Sequence, residues 1–121
     1  MVSPRGAAAS KLSVVRSKSL VLRGEVYWVN LDPTVGTEIQ KTRPALVVSP
    51  DDMNAKLPRV IIAPITSGGQ PLGCRPEVAF KRKNARILLD QLRCVDKERL
   101  GPKMGNIDEK QWHAVLLEML A

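Results

Sequence analysis

Two cysteines and one histidine are all that this chain of 121 residues holds of the thiol and imidazole metal ligands. Cys74 and Cys94 lie twenty residues apart with no CxxC pair, so neither a zinc site nor a disulfide framework is suggested, and both are expected as reduced thiols. A single histidine excludes a ribonuclease mechanism built on a histidine pair. His113, set between core-stripe residues of a terminal helix, is expected on that helix's surface. GxSxG, Walker and HExxH sequences are missing as well, which removes the common hydrolase, P-loop and zincin chemistries. No run approaches the roughly 20 apolar residues of a membrane-spanning helix, and Leu20-Val21-Leu22 is too short for a signal-peptide core. The expectation is a cytoplasmic protein, off the membrane, with no metal and no cofactor.

Acidic residues are absent from positions 1–23, which carry Arg5, Lys11, Arg16, Lys18 and Arg23, whereas positions 24–121 carry 14 basic and 12 acidic side chains. The net charge of +7 therefore sits mostly in the tail, and only local clusters can speak for nucleic acid. The clearest is Lys81, Arg82, Lys83 and Arg86, which reads equally as a solvated turn or as a set of phosphate contacts. Residues 1–22 share the composition of organelle transit peptides and of disordered basic extensions, and are expected to be the latter. Residues 23–121 then make one domain, large enough to bury a core without staples.

Within that domain "LRGEVYWVNL" (22–31) reads as a strand closed by Asp32-Pro33-Thr34. "PALVVS" (44–49) and "RVIIAPI" (59–65) are a second and third strand with a polar loop between them. Pro64 argues for a bulge or an edge in the third. The segment 66–76 is a long glycine- and proline-rich loop, of the kind that is usually functional. Strands at 77–80 and 86–95 follow, then a short helix in "DKERLGPKMG" stopped by Gly101-Pro102. Asp108 with Gln111 forms a capping-box pattern ahead of an apolar stripe, Trp112, Val115, Leu116, Met119 and Leu120. The pattern predicts a mainly β body, a small barrel with a C-terminal α-helix.

Polar residues gather at the strand ends: Thr37, Glu38 and Gln40 in the first loop, Arg43 ahead of the second strand, Thr66 and Ser67 after the third, and Asp90 and Gln91 within the later one. Asp90 follows three apolar residues, where an unpaired charge would be costly, so a partner such as Arg43 or Arg93 is expected.

The stretches "RGEVYWVNLDPTVGTEIQKTRPALVVSP", "VIIAPITS" and "ILLDQLRCVDKERL" resemble the three signature stretches of the MazF/PemK (Kid) family of toxin endoribonucleases from bacterial toxin–antitoxin modules. The likeness runs from about Arg23 through the terminal helix. It implies a CcdB/MazF-type, SH3-like barrel and a homodimer that shapes an RNA groove. It also implies metal-independent cleavage of single-stranded mRNA, in which the 2′-hydroxyl attacks the adjacent phosphorus to leave a 2′,3′-cyclic phosphate and a 5′-hydroxyl. Arg43 and Thr66 fall on the family's catalytic positions and Thr37, Glu38 and Gln91 where its members contact bases and sugar; Gln40, Ser67 and Asp90 join them as candidate RNA-binding residues. Kid-like members carry a histidine where Thr37 stands and an arginine where Leu88 stands, so Arg43 and Thr66 carry more of the chemistry here. The resemblance also implies a cognate antitoxin whose acidic, disordered segment blocks the groove. Two other readings share the fold: a non-enzymatic gyrase poison like CcdB, whose Trp-Gly-Ile ending this chain replaces with "EMLA", and a plain SH3-like RNA-binding module.

Overall fold

A computed structural model of the chain describes residues 20–31 and 41–121. The tail as far as residue 19 and the loop residues Thr37, Glu38 and Gln40 lie outside the described residues. Within them run β1 (Glu25–Asn30), β2 (Thr42–Val47), α1 (Asp51–Lys56), β3 (Arg59–Thr66), β4 (Glu77–Phe80), β5 (Lys83–Ile87), β6 (Arg93–Asp96), β7 (Leu100–Asn106) and α2 (His113–Leu120). The strands form one antiparallel sheet in the order β4-β5-β3-β2-β1-β7, with β6 added beside β3. The expected mainly β body with its C-terminal helix is what the chain adopts.

Successive residues of a strand point to opposite faces, and here both faces of the central strands are covered. Leu46 and Val48 join Val26, Ala63 and Ile65 in a core capped by Trp112 and Leu116 of the C-terminal segment. Ala45 and Val47 join Val29, Val60, Ile62 and Val95 in a second core, to which Val21 also belongs. Two-sided burial is why residues 45–48 and 60–65 are unbroken apolar runs rather than alternating ones.

Pro64 stands in a central strand, not at an edge. One side of β3 pairs with β2, where Ala45 faces Pro64; the other passes from β6 at residues 59–62 to β5 at residues 65–66. Pro64 occupies the gap between those partners, where no N–H is needed, and its carbonyl accepts from Leu88 N–H at 2.8 Å.

Four local expectations are corrected. The loop after β2 contains α1, which follows Pro50 and has Asp51 and Asp52 in its first turn and Lys56 in its last, charges that suit the helix dipole. The strand expected over 86–95 is broken by a 3-10 turn, Leu89–Gln91, so Asp90 lies on a turn between β5 and β6. The helix expected in 96–105 shrinks to one 3-10 turn, Lys97–Arg99, and the remainder is β7, an edge strand that tolerates Pro102. In the terminal stripe Trp112 and Leu116 are buried, while Met119 and Leu120 remain exposed. Asp108 caps a leading 3-10 turn by accepting from Lys110 N–H at 2.9 Å.

Candidate active site

Antiparallel register does the main work of assembling the polar strand ends. The β2–β3 pairing runs as far as Ala45 opposite Pro64, and Arg43 and Thr66 lie two residues beyond that pair on their own strands. On its other side Thr66 pairs with Arg86 of β5. Arg43, Thr66 and Ser67 line one groove of about 360 Å³, walled by Trp28 of β1 and by Phe80, Lys81 and Lys83 of the β4–β5 hairpin.

Arg43 and Thr66 are half-buried and Ser67 is exposed. The Thr66 hydroxyl oxygen accepts from Gly68 N–H at 3.3 Å, so one lone pair is used locally and its own proton is left to donate outward. A guanidinium and a hydroxyl donor at one groove floor, with two lysines on the rim, form a site for an anionic oxygen.

Two groove residues, Trp28 and Phe80, were not singled out in the sequence. Trp28 is 38 % exposed in a strand whose other apolar residues are buried, and it forms one wall with Phe80. Exposed aromatic faces beside cations suit the stacking of unpaired bases. β7 passes close behind Trp28 because residue 101 is glycine: a Cβ there would stand 3.3 Å from both the Trp28 Cβ and its carbonyl oxygen. Alternation in "EVYWVN" was the available signal, but two-sided burial of the neighbouring strands hid which apolar residue would stay outside. Lys81 and Arg82 make the hairpin turn with φ of 55° and 65°, a left-handed pair at which Asn-Gly is usual. The basic cluster is thus a turn, and Lys81 and Lys83 from it reach the groove.

Asp90 and Gln91 do not line the groove. Asp90 meets neither of the partners expected for it: Arg75 grips it with both ends of its fork, Nε to Oδ1 at 2.9 Å and Nη2 to Oδ2 at 2.8 Å. Those hydrogen bonds hold the Asp90 carboxyl below the usual carboxylate range. Arg93 instead donates to the Leu31 carbonyl at 2.8 Å. His113 sits partly exposed on α2, 3.7 Å from Glu109 and edge-on to Trp112. Cys74 and Cys94 are free. Among the described residues no three His, Cys, Asp or Glu side chains gather as a metal site, and no helix is long and apolar enough to cross a membrane.

A larger concavity of about 450 Å³ lies beside Glu25, Tyr27 and Lys103, away from these residues. Its polar atoms bind one another: Glu25 accepts from Leu22 N–H at 2.7 Å, Tyr27 O–H at 2.8 Å and Lys103 Nζ at 2.7 Å. Burial would raise the Glu25 carboxyl, but these bonds together with the Lys103 charge outweigh it and bring it below its ordinary value. Burial, and then Glu25, push the Tyr27 hydroxyl well up, so it remains a donor. This cluster is a satisfied structural anchor.

The family profile described as "PemK-like, MazF-like toxin of type II toxin-antitoxin system" matches residues 22–120. The chain is 37 % identical over 102 residues to endoribonuclease EndoA of Bacillus subtilis (strain 168), covering 79 % of this chain and 88 % of that one. Its fold matches a crystal structure of MazF from Deinococcus radiodurans with a TM-score of 0.73 at 23 % identity, over 84 % of this chain and 96 % of the other. It also matches an endoribonuclease in complex with its cognate antitoxin from a mycobacterial species, with a TM-score of 0.69 at 19 % identity, over 83 % and 94 % of the two chains.

Proposed function

The chain belongs to the PemK-like, MazF-like toxins of type II toxin–antitoxin systems, and on that premise we propose that it is a metal-independent endoribonuclease acting on single-stranded mRNA in the cytoplasm. The observation that carries this reading is the groove lined jointly by Arg43, Thr66 and the exposed Trp28.

In the proposed reaction the 2′-oxygen forms a bond to the adjacent phosphorus and the bond from phosphorus to the 5′-oxygen breaks. The 2′-hydroxyl gives up its proton and the departing oxygen gains one, leaving a 2′,3′-cyclic phosphate and a 5′-hydroxyl. Negative charge grows on the non-bridging oxygens at the phosphorane, where the Arg43 fork and the Thr66 hydroxyl donate. Loss of one such donor typically raises the barrier by about 3 kcal/mol, roughly a hundredfold in rate. Trp28 and Phe80 offer faces to bases splayed out of the strand, and Lys81 and Lys83 meet flanking phosphates. Ser67, Thr37, Glu38 and Gln40 supply base and sugar contacts in this reading, while Asp90 and Gln91 are not among the groove's lining residues.

We place the catalytic module in residues 23–121, with 1–22 as a basic extension; of its described residues, Val21 is buried in the second core. The chain acts as a homodimer whose second copy completes the RNA channel, and an antitoxin with an acidic disordered segment covers the groove, as its basic rim would favour. The antitoxin complex of the mycobacterial relative supports that partner. The gyrase-poison and plain RNA-binding readings are not favoured, since the EndoA relative is named an endoribonuclease.

Primer extension on a long RNA in EDTA tests the reading. Discrete cuts that vanish in folded Arg43→Ala and Thr66→Ala variants are expected. Purified chain, free of antitoxin, that leaves every RNA intact would end it.

A further inference from the structure

Three features put the loop after β3 under the control of a side chain far along it. Arg75 forks onto Asp90, and its third nitrogen, Nη1, donates to the Gln70 carbonyl at 3.2 Å. Asp90 is itself held firm, because Leu89 beside it on the same 3-10 turn is fully buried. Gly69 lies between that guanidinium and the catalytic threonine: a Cβ built there would stand 3.4 Å from Thr66 Cγ2 and 4.0 Å from Arg75 Nη1. Its φ of +94° is one that other residues rarely adopt. One residue earlier, Gly68 N–H donates to the Thr66 hydroxyl.

We propose that Arg75 is a positioning residue for Thr66. Anchored on Asp90, it clamps the turn at 68–70 so that Gly68 N–H fixes the Thr66 rotamer and directs the hydroxyl proton into the groove. This rests on the ribonuclease reading given above. The chemistry favours arginine: a bidentate fork fixes orientation and leaves a further N–H for the loop carbonyl, which a lysine ammonium cannot reproduce. The ion pair is only partly exposed, with side-chain exposures of 15 % and 30 %, so it is better protected from solvent than a free surface pair. A Thr66 hydroxyl that wanders among rotamers would still let RNA bind through the aromatic wall and the lysines, but would seldom meet the phosphorane.

The test compares wild type, Arg75→Lys, Arg75→Asp, Asp90→Arg and the exchanged pair Arg75→Asp with Asp90→Arg, using a short RNA containing one mapped cut. The single variants should lose roughly ten- to a hundredfold in kcat with KM little changed, as expected for a misplaced catalytic group, and the exchanged pair should recover most of that loss. Gly69→Ala strains the same loop while leaving both Arg75 and Asp90 in the chain, and should show the same loss confined to kcat. Exchange of the Gly68 amide, followed by NMR on the RNA-free protein, should speed up in the single variants and slow again in the exchanged pair. A rise in KM with kcat intact would make Arg75 an RNA contact and overturn the proposal, as would single variants with unchanged kcat. Wild type that cleaves nothing would overturn the ribonuclease reading and the catalytic half of the clamp. Unchanged Gly68 exchange across the set would overturn the clamp alone.

Discussion

Arg43 and Thr66 lie on adjacent strands, each two residues past the Ala45–Pro64 pair that ends the β2–β3 register, and line one groove. Because β-ladders are stiff, the sheet fixes where the two backbones stand. The fork at residue 43 then matters more than its charge. Arg43→Lys should keep the fold and most RNA affinity, yet slow cleavage by about a hundredfold, a loss near 3 kcal/mol for one donor at a phosphorane. Single-turnover cleavage beside a binding titration checks this; a lysine variant cutting at the wild-type rate would reduce Arg43 to a point charge.

Trp28 and Gly101 supply a second test, remote from the phosphate. With a Cβ at 101 only 3.3 Å from Trp28, Gly101→Val must push that indole or its strand aside. Trp28→Ala should weaken RNA binding by about 1–3 kcal/mol, the range for one stacked base. Gly101→Val should move in the same direction through displacement of the ring, while Trp28→Phe retains part of the affinity. Fluorescence titration with a non-cleavable, 2′-deoxy oligonucleotide isolates this effect from chemistry. An alanine variant with wild-type affinity would remove Trp28 from the interface.

Arg43 and Thr66 were legible in the sequence because each sits where a polar loop meets an apolar strand, and the resemblance of those motifs gave them roles. Their joint placement on one groove required the register. What escaped were features fixed by contacts distant in sequence. Asp90 was recognisable as a carboxylate in need of a cation, but nothing local says that the cation lies 15 residues back at Arg75 rather than at Arg43 or Arg93. β7 was hidden because Gly101 and Pro102 look like a helix stop; an edge strand needs only one hydrogen-bonded side, so it accepts both. Trp28 is apolar like its strand neighbours, and only the structure shows it left outside. The exposed end of α2 follows the same logic, since its apolar stripe runs past the surface it covers.

Lys81 and Lys83 reach the groove from a turn whose strained backbone keeps them close to it. If they meet phosphates of a single strand, each removed contact should lower the slope of log affinity against log salt by about 0.7. Lys81→Gln with Lys83→Gln should therefore weaken binding at low salt, flatten the salt dependence by about 1.4, and leave the preferred cutting sequence unchanged. Affinity measured across a salt series gives the slope. A slope equal to wild type would return the cluster to the role of a solvated turn.

Glu25 sets how stability depends on acid. Its carboxyl is lowered in the folded chain, so its contribution is present in full above the ordinary glutamate value, about 4.3, and is lost as pH falls through the lower folded value. Asp90, lowered by Arg75, titrates in the same sense. The melting temperature should hold from neutrality to about pH 5 and fall below it, and Glu25→Gln should flatten that acid fall while lowering the neutral plateau. Lys103→Met is the sharper variant. It leaves a carboxylate only 5 % exposed without its cation, so two of the effects that hold the carboxyl down are lost and it rises from its wild-type position. Destabilisation on the order of 2 kcal/mol is expected at pH 7, less than for a fully buried pair because Lys103 is itself half exposed. It should shrink as the solution is acidified, since a protonated Glu25 needs no cation. A deficit in Lys103→Met that is the same at pH 4 and pH 7 would assign the effect to lost packing of the lysine stem and not to the charge.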